Sequence, residues 1–173
     1  MANPLSTLGI VHTAISLAPV VTGLYGFARH GAILPETRSG KIYLSFLVLS
    51  VLTSFGLSST GGFNEGHALG IVTLVAVAGS LAAARTKRLG RLKPYLSSFG
   101  LSFSFFLLIV PAVNESLTRL PASQPLASGP ESPIVQTTLM VWLVIFLSGA
   151  SLQAYLMHKR TVAVKTGHAP LSR

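Results

Sequence analysis

His67-Ala68-Leu69-Gly70-Ile71-Val72-Thr73-Leu74-Val75-Ala76-Val77-Ala78-Gly79-Ser80-Leu81-Ala82-Ala83-Ala84 contains no Asp, Glu, Lys or Arg, and Arg85-Thr86-Lys87-Arg88-Leu89-Gly90-Arg91-Leu92-Lys93 follows it directly. About 18 helical residues at 1.5 Å each reach across a hydrocarbon core of ~30 Å. The stretch has no polar stripe, as a helix on a soluble core would need. It has no strict alternation either, as a lipid-facing barrel strand would need. An apolar span ending in a basic connection is the signature of a membrane helix with one end at a headgroup surface.

Working outward, four more segments read the same way: Leu5 to Ala28, Ile42 to Thr60, Tyr95 to Val113 and Ile134 to Met157. In a bilayer each must satisfy its own backbone hydrogen bonds, so each is expected to be helical. The fold class is therefore all-α: a polytopic transmembrane bundle of five helices. Thr60-Gly61-Gly62-Phe63-Asn64 is a tight turn that makes a hairpin of the second and third helices. Between about Asn114 and Pro133 the chain carries Pro121, Pro125, Pro130 and Pro133 among Ser and Gly, a surface loop. Ser132-Pro133 reads as a cap followed by a first-turn proline. The expected organisation is a five-helix domain over 1–158 and a basic tail over 159–173. Met1-Ala2-Asn3-Pro4 is uncharged and the first apolar stretch is long, so that stretch is read as a retained helix.

Composition agrees. Of 173 residues 50% are hydrophobic and 10% charged, yet the formal charge is +9, from 13 Lys and Arg against 4 Glu. A charged fraction this far below the usual quarter, with this apolar content, excludes a disordered chain. The lack of cysteine excludes a disulfide scaffold and a thiolate metal site. Twelve of the thirteen basic residues fall in the first connection, the third connection and the tail; only Arg119 lies elsewhere. With five crossings those three regions share one side, which the positive-inside rule makes cytoplasmic. The N-terminus is then outside and the C-terminus inside. The charge thus reports orientation, not a nucleic-acid partner. Tyr25, Tyr43, Tyr95 and Tyr155 all fall at the cytoplasmic ends, where an interfacial aromatic belt is expected.

Ionisable groups within a span are the first place to look for function. His12 lies about 10 Å inside the first helix from its outer end. His67 opens the third helix from the same side, after Asn64 and Glu65, and Asn114 and Glu115 close the fourth there. His12 shares a helical face with Ser16, Pro19 and Gly23, which belongs against other helices or a cofactor. Two histidines on facing helices can ligate a haem b iron. Histidines with a carboxylate can hold a divalent metal. A histidine and a glutamate can relay a proton or bind a quinone carbonyl. His12 and His67 are thus the candidate cofactor-binding residues, with Glu65, Asn114 and Glu115 as an outer polar cluster; no catalytic residue is assigned. The bland alternative is that these groups serve as interhelical glue and wet interfacial residues. Gln136, Gln153 and Trp142 are expected to bond or pack across helices. Stripes of small residues, such as Ser50 with Ser54 and Gly100 with Ser104, argue for close helix approach or a homo-oligomer. There is no Walker loop, dinucleotide fingerprint, HExxH or GxSxG.

The stretch from Glu36 through Pro121 loosely resembles a group of bacterial multi-pass membrane proteins of unknown function. The resemblance rests on Thr37-Arg38-Ser39-Gly40-Lys41-Ile42-Tyr43 opening one helix and His67-Ala68-Leu69-Gly70-Ile71 opening the next. A basic loop and Pro94-Tyr95 follow. Where members carry loop histidines, this chain has Thr37 and Lys93. The resemblance implies a membrane bundle, consistent with a haem- or quinone-associated one. Two functions are expected as alternatives. One is a non-catalytic accessory, assembly or structural subunit of the bacterial cytoplasmic membrane, acting on a membrane-protein partner. The other is a small redox protein using His12 and His67.

Overall fold

A computed structural model describes residues 6–57 and 62–165, with side chains to Val162. It is all-helical, with no strand among the described residues. Five helices follow one another: α1 (Thr7–His30), α2 (Arg38–Ser54), α3 (Glu65–Arg85), α4 (Lys93–Arg119) and α5 (Pro133–Lys165). α1, α3, α4 and α5 are each long and apolar enough to cross a membrane. α2 has 17 residues.

Local chemistry sets the ends. Ser6 caps α1 by accepting from Gly9 N–H at 3.1 Å, and Gly31 stops it in the left-handed region at φ 70°, where glycine has no Cβ penalty. Thr37 Oγ1 caps α2 through Gly40 N–H at 3.0 Å. α2 begins four residues before the apolar run and stops at Ser54 rather than Thr60. There Gly56 N–H and Leu57 N–H turn back to the carbonyls of Thr53 and Ser54, the i→i+3 tightening that ends helices. Residues 58–61, and with them part of the expected hairpin turn, lie outside the described residues.

Asn114 and Glu115 do not close α4, which continues to Arg119. The extra turn is held by a Glu115–Arg119 ion pair at i,i+4 and by Thr118 Oγ1 donating to Asn114 O at 2.7 Å. The proline-rich connection is shortened accordingly. It folds back through Ala127 N–H to Leu117 O at 2.9 Å. α5 does start at Pro133, with Gln136 N–H on Ser132 O. At its far end it runs through the expected 158/159 boundary to Lys165, since Lys159 and Arg160 are good helix formers.

The helices pack antiparallel in chain order. α1 meets α2 from His12–Thr53 at one end to Gly23–Tyr43 toward the other. α3 meets α4 where Gly100 lies against Ser80 and the Ala76 carbonyl. α5 packs on α4 through Phe99, Phe103 and Phe106 against Phe146 and Trp142. The core is small: Ile33, Tyr43, Leu47, Val77, Leu101, Phe105 and Leu108. Tyr43 departs from the expected belt. Tyr25 and Tyr155 are exposed, but Tyr43 is fully buried, with its hydroxyl 2.8 Å from Ser104 Oγ. The notch at Gly23 gives its ring room on α1, and Ser104 supplies the partner a buried phenol requires.

Candidate functional site

The last turn of α2 organises the polar groups of one end of the bundle. Thr53 and Ser54 are adjacent, so their side chains point about 100° apart around the helix. Thr53 faces α1 and Ser54 faces α3. His12 and His67 each use one of these two residues.

His12 Nδ1 lies 2.8 Å from Thr53 Oγ1. Thr53 already donates its hydroxyl proton to the carbonyls of Leu49 and Ser50, at 2.9 and 3.0 Å. The network therefore assigns the proton to His12 Nδ1 and the lone pair to Nε2. Ser16 Oγ is 3.4 Å from that Nε2, but its own proton goes to His12 O at 2.7 Å. Ser50 Oγ, 2.6 Å from Ser16 Oγ, is then the donor of that pair. His12 is half-buried, and the Glu115 carboxylate on α4 lies within electrostatic reach of it. The expected face of α1 is confirmed by Pro19 and Gly23, both buried.

His67 has the opposite tautomer. It is the third residue of α3 and forms a reciprocal capping box with Asn64. Its N–H donates to Asn64 Oδ1 at 3.0 Å, and its Nδ1 accepts from Asn64 N–H at 3.2 Å. Nε2–H donates to Ser54 O at 3.1 Å, a carbonyl at the end of α2 that also accepts from Leu57 N–H. The ring stacks on Phe55 at 4.9 Å and 19°, with Phe63 at 5.6 Å on a tilted approach. Only 5% of His67 is exposed, and both ring nitrogens are occupied by backbone. A metal or haem iron would have to break either the cap or the α2–α3 link to reach it.

The two histidines thus share an end of the bundle and a helix, but they engage different flanks of α2. Glu65 is exposed in the first turn of α3, where a carboxylate complements the helix dipole. Glu115 is exposed and paired with Arg119. Asn114 Oδ1 is buried without a hydrogen-bond partner among the described residues. No group of three or more His, Asp or Glu among them could hold a metal ion. Elsewhere, Gln153 does bond across helices, accepting from Ser102 Oγ and donating to Gly31 O. Trp142 Nε1–H donates to Phe106 O at 3.1 Å, while the Gln136 side chain donates to the nearby Glu131 rather than across to another helix.

Thr53, Phe55 and Phe63 were not singled out by sequence. The readable signal was Asn64-x-x-His67, the capping-box spacing with histidine in place of Glu or Gln. His67→Phe keeps the stack but removes both ring hydrogen bonds. It is expected to cost about 1–2 kcal/mol and to speed amide exchange at Asn64. Unchanged protection there would contradict the capping role. Compared with known proteins, the chain matches no family model, no curated protein and no solved structure.

Proposed function

We propose that the chain is a multi-pass integral membrane protein of a bacterial cytoplasmic membrane, acting through helix contacts as a non-catalytic accessory, assembly or structural subunit. The observation that carries the membrane part is α5. None of its most apolar window is buried, and Val141, Val144, Ile145, Leu147, Leu152 and Leu156 all stand exposed. In water so large an apolar surface would aggregate; in lipid it is already solvated. α2 is shorter than its neighbours, but it lies between α1 and α3 and is read as crossing with them. Basic residues at the α1–α2 and α3–α4 connections and in the last turns of α5 support a C-terminus inside and an N-terminus outside. The contact role is supported by the way His67, Ser16, Ser50, Ser80 and Gln153 spend their polar groups on neighbouring helices or caps.

A reporter fused after Arg173 is expected to be active only in its cytoplasmic form. Activity confined to the periplasmic form would overturn the five-span orientation. A second reading is favoured by two atoms: His12 Nε2, whose lone pair has only a long contact, and the orphaned Asn114 Oδ1. The Nε2 lone pair suits a haem iron, and both acceptors suit the hydroxyl groups of a reduced quinone, at the outer end. The purified protein is expected to be colourless. A Soret band that vanishes in His12→Ala would overturn the contact-only function in favour of the redox one.

A further inference from the structure

α3 and α4 touch closely at Gly100, where a Cβ would come within 2.7 Å of Ser80 Cβ and 3.0 Å of the Ala76 carbonyl. Beside that contact the flank of α3 is stripped down to Ala76, Gly79 and Ala83, while Phe99 and Phe103 stand as a rim on α4. The result is a groove of about 730 Å³, almost wholly apolar, within the range of ~300–1,000 Å³ usual for ligand sites. A Cβ at Gly79 would meet nothing within 4 Å, so the floor is open. From Val72 to Thr86 the groove follows α3 for about 21 Å at 1.5 Å per residue, longer than the ~15 Å half-thickness of a bilayer's hydrocarbon core. It does not end in apolar surface. It ends at Thr86, Arg88 and Leu89. Arg88 is exposed and makes no ion pair among the described residues, and Lys87 and Arg91 flank it in the chain.

We infer that this groove binds one anionic glycerophospholipid, its acyl chain along Ala76, Gly79 and Ala83 and its phosphate at Arg88. The inference rests on the membrane reading above, which puts Arg88 at headgroup level in the inner leaflet. An apolar channel long enough to span one leaflet, with a cation at its interfacial end that has no ion pair among the described residues, matches that molecule in shape and in charge. Basic pockets between helices on the cytoplasmic side are a recurrent anionic-lipid geometry. A second copy of the chain fits poorly. In a two-fold dimer the same patch faces itself, so a concave groove would confront a groove and Arg88 would approach Arg88.

The test is native mass spectrometry of the detergent-purified protein, incubated with equal phosphatidylglycerol and phosphatidylcholine of matched chains. The wild type is expected to retain one phosphatidylglycerol, preferred about fivefold over phosphatidylcholine. Arg88→Gln is expected to bring the two lipids to parity. Gly79→Phe fills open space and improves helix propensity, so it should keep the wild-type melting temperature while losing the retained lipid. Equal retention of both lipids by the wild type, or undiminished phosphatidylglycerol in a folded Gly79→Phe variant, overturns the site. A wild-type dimer that Gly79→Phe converts to monomer also overturns it and assigns the groove to a second copy. Alkaline extraction of membranes separates the two levels. Release of the chain refutes the membrane reading itself, whereas a chain that stays embedded yet holds no phosphatidylglycerol refutes only the lipid site.

Discussion

Gly40→Ala is expected to destabilise the protein by about 3 kcal/mol or more, at the upper end of overpacking costs. A Cβ there would collide with the Leu34 carbonyl oxygen and lie 2.6 Å from its carbon and 3.1 Å from Pro35 Cα. All three are backbone atoms, so no side chain can rotate out of the way. The turn cannot retreat cheaply either. The Leu34 carbonyl accepts from Thr37 N–H at 3.1 Å and from Thr37 Oγ1 at 2.8 Å, and Ile33 beside it is 3% exposed. One methyl group thus has to break the cap of α2 or lift Ile33 from the core. Thermal unfolding in detergent reads the effect. A melting temperature equal to wild type would show that the α1–α2 turn is not held this closely. Gly79→Ala is the matched control, because the added methyl there meets open space.

Phe105→Ala should cost about 3–5 kcal/mol, the range for removing a buried phenyl ring. The ring is 3% exposed and joins four helices. It meets Phe27 of α1 edge-on at 5.3 Å, Tyr43 of α2 at 6.4 Å and Trp142 of α5 at 6.2 Å. It also occupies the notch left by Gly23, where a Cβ would come within 2.5 Å of its Cδ2. Gly23→Ala alone is therefore destabilising, since the ring must move. Combined with Phe105→Leu, which vacates the notch, it should cost less than the sum of the singles by about 0.5–3 kcal/mol. Strict additivity in unfolding free energies would mean that the ring and the notch are independent.

Helix existence was legible in the chain because apolar runs of this length have few alternatives, and α3 differs from its apolar run by only two residues at one end and one at the other. Helix ends were less legible, because polar side chains set them. Arg38, Ser39 and Gly40 look like loop, yet Thr37 caps them into α2. Asn114 and Glu115 look like a terminus, yet Arg119 draws one more turn out of α4. The face of His12 was readable because spacing along one helix is local information. What His12 and His67 bond to was not, because it depends on the register of α2 against two neighbours. Tyr43 shows the same limit. Its place near a helix end suggested water, and the opening beside Gly23 on another helix decided for burial.

α5 touches the other helices along a single line. A strip of rings holds it to α4, and Gln153 ties it to Ser102 and to the carbonyl of Gly31. No α5 residue belongs to the fully buried cluster, although Trp142 leans against it. In mechanical terms the molecule is a four-helix body with one lever attached. A push on α5 from a neighbouring molecule would be delivered at two points: through Gln153 to Gly31, the left-handed residue on which α1 turns toward α2, and through Trp142 to Phe105 in the core.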